Sequence, residues 1–109
     1  MAADEELQAR VREHLSTMDG IEEKPIVGGT GFMWQGNLLC GVMADDLLVR
    51  IAKDDYDRFI GDEGARPMVM AGKSSKRWIL VPKSIVSQDA AMKKWLDRAV
   101  GFVGSLPAK

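Results

Sequence analysis

Two side chains in this chain of 109 residues could serve as a nucleophile and its base, Cys40 and His14. A thiolate next to an imidazole attacks electrophilic carbon, provided that the thiol is accessible and the two groups meet. Cys40 stands inside the apolar run Leu38–Met43, where a thiol is usually buried and inert. His14 is the only histidine and Cys40 the only cysteine, so the usual zinc ligand sets cannot be assembled. Carboxylates occur as Asp45-Asp46, Asp54-Asp55 and Asp62-Glu63. Each pair falls at a turn or a helix start, where turn and capping chemistry uses the same groups. The spacing of a calcium-binding loop is absent. No catalytic residue, no metal ligand and no cofactor is expected, and the chain is expected not to be an enzyme.

Two glycine motifs test a nucleotide role. Gly72-Lys73-Ser74 matches the end of a phosphate-binding loop, but the full pattern needs glycine at position 67, which is Pro67. A strand follows instead of the helix whose N-terminus would receive the phosphate. Gly29-Thr30-Gly31 would need a third glycine at position 34 to be a dinucleotide fingerprint, and Trp34 stands there. Both stretches read as structural.

The charge is more informative. The net charge of −1 hides a split: residues 1–63 carry −8 and residues 64–109 carry +7. From Gly64 to Gln88 there is no acid, whereas Arg66, Lys73, Lys76, Arg77 and Lys83 all lie there. These five residues form the candidate interaction surface. An asymmetry of this kind marks an acidic partner or nucleic acid, or else two halves whose charges interleave on folding. Trp78 follows Lys76-Arg77, and an aromatic beside cations could stack a base. A base-stacking sheet usually presents several aromatics, so nucleic-acid binding through the 66–83 segment is kept as the alternative.

These residues must be positioned by a scaffold centred on Ile26–Ile51, an antiparallel meander. Strands flank the turn Gln35-Gly36-Asn37, and another follows Asp45-Asp46. Before it, Asp4 can cap a helix whose stripe is Leu7, Val11, Leu15 and Met18, with Gly20 just beyond its end. Pro25 cannot donate a ladder hydrogen bond and places the strand Ile21–Val27 at a sheet edge or a strand start. Gly28, Gly29 and Gly31 allow a bulge or close backbone approach. Strict alternation puts Leu38, Cys40 and Val42 on one face, and an all-apolar strand belongs in the sheet centre. Leu47, Val49 and Ile51 should face the helices. Asp54 or Asp55 can cap a short helix with Tyr56, Phe59 and Ile60, stopped by Gly61. Pro67–Ala71 and Arg77–Val81 read as strands joined by a five-residue loop, 72–76. Ser87 can cap a last helix with the stripe Met92, Trp95, Leu96, Ala99, Phe102 and Val103.

The expectation is one α+β domain over 1–109, a two-layer fold with an antiparallel sheet of five to six strands and three helices, in the order α-β-β-β-β-α-β-β-α. With 46% hydrophobic and 28% charged residues the chain has the composition of a foldable globular domain, not of a disordered one. A single cysteine forms no internal disulfide, the acidic N-terminus is no secretory signal, and no apolar run approaches membrane-spanning length. A cytoplasmic protein is expected.

The strings Ile26-Val27-Gly28-Gly29-Thr30-Gly31-Phe32-Met33, the DDLLVR segment ending at Arg50, and Arg66-Pro67-Met68 followed by a strand, a proline and a tryptophan-bearing helix resemble the N-terminal domain of TfoX/Sxy-type regulators. Ile26-Val27 departs from the Met-Phe pair common there. The chain is expected to be a stand-alone N-terminal domain lacking the C-terminal helical domain. The resemblance implies a small bacterial α+β domain without an established active site, and a part in competence regulation through protein contacts. A non-enzymatic interaction module is the leading expectation, with a protein partner, no membrane, and a monomer or homodimer. A small-molecule binder or enzyme with a pocket between sheet and helices is the other alternative.

Overall fold

The structure, a computed structural model, describes residues 4–26, 28–70 and 72–108. Helix α1 (Glu5–His14) leads into β1 (Ile21–Ile26), β2 (Gly29–Trp34), β3 (Asn37–Met43) and β4 (Asp46–Arg50). A 3₁₀ turn (Lys53–Asp55) runs into α2 (Tyr56–Phe59), then come β5 (Arg66–Met70), β6 (Lys73–Pro82), α3 (Lys83–Val86) and α4 (Asp89–Val103). All strands pair antiparallel in one six-stranded sheet of order β1-β2-β3-β4-β6-β5. This is the expected α+β architecture and order, with α3 as an added single turn after Pro82.

The edges are occupied by β1, which contains Pro25, and β5, which contains Pro67, while Pro82 is the last residue of the interior strand β6. An edge strand tolerates a missing ladder donor. The centre falls to β3 and β4, whose Cys40, Val42, Leu47 and Val49 are fully buried. They form the core with Leu7 and Val11 of α1 and Met92, Trp95, Leu96, Ala99 and Val103 of α4.

Helix α1 begins as expected, with the Leu7 N–H donating to Asp4 Oδ1 at 2.8 Å. It stops at His14, earlier than its apolar stripe suggests, and Gly20 reaches its left-handed conformation (φ +85°) in the turn beyond. Helix α4 starts without a side-chain cap; Gln88 holds the capping position, and the Ser87 hydroxyl instead donates to the Ser84 carbonyl. Asp55 holds the capping position of α2 but makes no side-chain cap bond; its carboxylate accepts from Arg58 instead. The expected strand ends at Val27 and Ala71 lie outside the described residues.

Strict alternation fails in β3. Phe32 pairs with Cys40 and Met33 with Leu38, so Leu39 is an extra residue in a β-bulge. The bulge turns Leu39 into the core with Cys40 and Val42 and leaves Leu38 out of it. Leu38 lies over Gly31 instead: a Cβ at Gly31 would sit 2.8 Å from both Leu38 Cδ1 and Ile26 Cγ2. At Gly29 a Cβ would stand 1.8 Å from the Val42 carbonyl oxygen. The glycines therefore serve close strand approach.

Candidate functional site

The five cations expected to form one surface divide between the two ends of the sheet. At one end, β4 begins at Asp46 beside the last residue of β6, Pro82. Arg66 spends its guanidinium on Asp46 at 2.6 Å. Lys83 Nζ lies 2.9 Å from Asp4 and 3.0 Å from Glu6. Backbone bonds close the same corner, from Asp4 N to Ala44 O (2.7 Å) and from Lys83 N to Asp45 O (3.1 Å). The Asp4 carboxyl is held below its ordinary range, first by the Leu7 N–H and then by Lys83, and Lys83 is raised by Asp4 and Glu6. Arg66 and Lys83 are therefore structural ties and leave the candidate surface.

At the other end, β4 stops at Arg50 opposite Trp78, and the Ile51 N–H still reaches Arg77 O at 3.0 Å. The N-terminal part of β6 then runs past β4 and pairs with β5 alone, through Met68–Ser75, Val69–Ser74 and Met70–Lys73. The register between β5 and β6 jumps at Pro67/Met68, so that Lys76, Arg77 and Trp78 have no partner in β5. The expected five-residue loop is thus mostly strand, because the chain reverses tightly around Gly72 (φ +79°). Lys73, Lys76 and Arg77 are exposed on this projecting hairpin, and no carboxylate pairs with any of them among the described residues. Val69 beside them is 59% exposed, a large apolar side chain left in water.

Arg50 was not singled out by its sequence position, an arginine closing an alternating strand. Its guanidinium lies near two rings, 5.7 Å from the Trp78 centroid and 5.6 Å from that of Phe102. Its Nε is buried without a hydrogen-bond partner. Burial, and secondly the charge of Arg77, lower its proton affinity below the ordinary arginine range. Contact with a six-membered and an indole ring holds a cation favourably but does not satisfy its donors.

Elsewhere the charges interleave. Asp62 accepts from Arg98 at 2.6 Å and lies 3.3 Å from Lys94, while Arg10 meets Asp89 at 2.7 Å. The acidic first half thus neutralises much of the basic second half. Cys40 is fully buried, and burial pushes its thiol far up, so it remains a neutral packing group. His14 lines a surface groove between α1 and α4 with Arg10, Glu13 and Lys93. No group of three or more potential ligands for a metal occurs among the described residues. None of the helices in the described residues is long and apolar enough to cross a membrane.

A family model for the TfoX N-terminal domain matches residues 13–103. The chain belongs to this family. The match runs from the end of α1 to the end of α4 and so includes the whole sheet, both of its ends and the projecting hairpin. No curated protein and no solved structure matches the chain.

Proposed function

We propose that this TfoX N-terminal domain is a non-enzymatic interaction module that docks an acidic segment of a partner protein on the β5–β6 hairpin. The observation that carries this reading is the projecting hairpin itself, with Lys73, Lys76 and Arg77 lacking internal acids beside an exposed Val69. A solvated, unpaired cation steers an acidic partner and is not tied down by the fold. The regulatory role implied by the family likeness fits a domain that acts through contacts.

Nucleic acid is less well served. The one aromatic beside these cations, Trp78, already has Arg50 over its ring, which takes up a face that a base would need. The larger grooves among the described residues lie on the outer surface, and the space between sheet and helices is filled by the core.

Affinity capture from the native cell tests the reading, with the K73E/K76E variant as the second bait. Loss of acidic partners from the variant supports it. Identical partner sets from both baits remove the hairpin from consideration. Capture of nucleic acid that falls steeply with salt would favour the alternative, since phosphate contacts release counterions.

A further inference from the structure

At the root of the hairpin lies a groove of about 370 Å³ whose lining includes Arg50, Lys53, Asp54, Arg77 and Phe102. Three of these side chains are cationic and one is acidic, so the groove carries net positive charge. None of the three cations forms an ion pair among the described residues. The two arginines lie close enough for one to oppose the other's charge. Like charges facing one another in a depression are unfavourable unless an anion joins them.

Arg50 is the anchoring group. Its guanidinium carbon lies 5.7 Å from the Trp78 centroid and 5.6 Å from that of Phe102, and these neighbours restrict the side chain and limit the rotamer entropy lost when it binds a ligand. A planar fork held in place presents paired donors to an oxyanion, the arrangement that suits phosphate. Lys53 and Arg77 enter from the chain segments on either side, directly after β4 and within β6. Ile51, Ala52 and Phe102 add an apolar wall. The groove is considerably larger than one phosphate group, which leaves space for an organic substituent.

We propose that this groove is a binding site for a phosphate group, carried free or as the phosphomonoester of a small molecule, with Arg50 as its main donor and Arg77 and Lys53 as flanking charges. The dianion suits it better than a carboxylate does, because the net positive charge exceeds one. The site shares Arg77 with the docking hairpin but needs Arg50 and Lys53 besides, whereas docking also needs Lys73 and Lys76.

The test is a titration of the ¹⁵N-labelled full chain at constant ionic strength with inorganic phosphate, phenyl phosphate and acetate. Saturable shifts confined to residues 50–54, 77 and 78 are expected. R77Q and K53Q should each weaken phosphate about tenfold, as expected for loss of a charge-assisted hydrogen bond. Both side chains are exposed, so these variants fold, and R50Q adds the largest loss where it too is folded. K93Q, at a distant ion pair, should leave affinity unchanged. Phenyl phosphate binding more tightly identifies an organic phosphomonoester, and equal binding identifies phosphate itself; both outcomes uphold the site. Shifts spread over all surface cations, acetate binding as tightly as phosphate, or undiminished affinity in R77Q and K53Q would overturn it.

Discussion

The two ends of one sheet use the same kind of residue for opposite purposes. Where β4 begins, Arg66 and Lys83 are each held by acids from distant parts of the chain, Asp46 in one case and Asp4 with Glu6 in the other. Where β4 ends, Arg50, Lys53, Arg77 and the hairpin lysines have no such acids among the described residues. The difference follows from the path of the chain. The acidic first turn of α1 and the β3–β4 turn return to the first end, whereas β6 overruns β4 at the second, where its cations form no ion pair among the described residues. A basic run in sequence therefore becomes a tie at one end and an open surface at the other.

Charge reversal should separate the ends most strongly. K73E/K76E is expected to cut affinity for an acidic partner more than tenfold, because like charges across an interface cost several kcal/mol, with little change in melting temperature. R66E and K83E should do the reverse, lowering the melting temperature and sparing affinity. Partner binding measured alongside thermal melting checks both pairs.

The same contrast extends to Arg98, whose guanidinium bonds Asp62 at 2.6 Å and lies 4.0 Å from the Phe59 centroid and 4.7 Å from that of Trp95. Arg98→Ala should cost about 2 kcal/mol through lost ring contact and ion pairing. Lys73→Ala should stay within about 0.5 kcal/mol. Denaturant titration distinguishes the two.

Acid titration sharpens the picture further. Asp62, held down chiefly by Arg98, Glu23, held down chiefly by Arg12, and Asp4 all have lowered proton affinity in the folded state. A depressed carboxyl contributes stability that is complete above its unfolded pKa, near 4, and is lost as pH falls through the lower folded value. Lys83 has the opposite sign: its raised value contributes below the ordinary lysine range and is lost as pH rises through the folded value. Melting temperature should thus fall below about pH 4 and again in strong alkali. D62N should flatten the acid limb.

The smallest effect belongs to the turn at the tied end. Ala44 adopts φ +54° there, a conformation that disfavours a side chain. Ala44→Gly should raise stability by about 0.5 kcal/mol, the relief of strain being partly offset by chain entropy. Equilibrium unfolding measures it.

Much of the scaffold was legible in the residues because its signals are local. Asp4 caps α1 through an atom three residues away, Pro25 marks an edge by lacking a donor, and the apolar stripe of α4 follows helical period. The bulge at Leu39 was not legible, since an extra residue leaves an all-apolar strand looking unchanged. Nor was the short reversal around Gly72, because Lys73, Ser74 and Ser75 have the composition of a loop and are held in β6 by pairing with β5. The candidate surface was half legible. Composition located the cations, but the acids that occupy Arg66 and Lys83 come from far along the chain, and Arg50 gains its interest only from Trp78 and Phe102.

The division between tied and open cations is tested most directly by the rate at which each lysine of the folded chain is acetylated, read site by site by mass spectrometry. Lys83, whose ammonium is held by Asp4 and Glu6, should react most slowly, Lys73 and Lys76 should react fast, and D4N/E6Q should bring Lys83 up to their rate. Equal rates at Lys73, Lys76 and Lys83 in the unaltered chain would contradict the account.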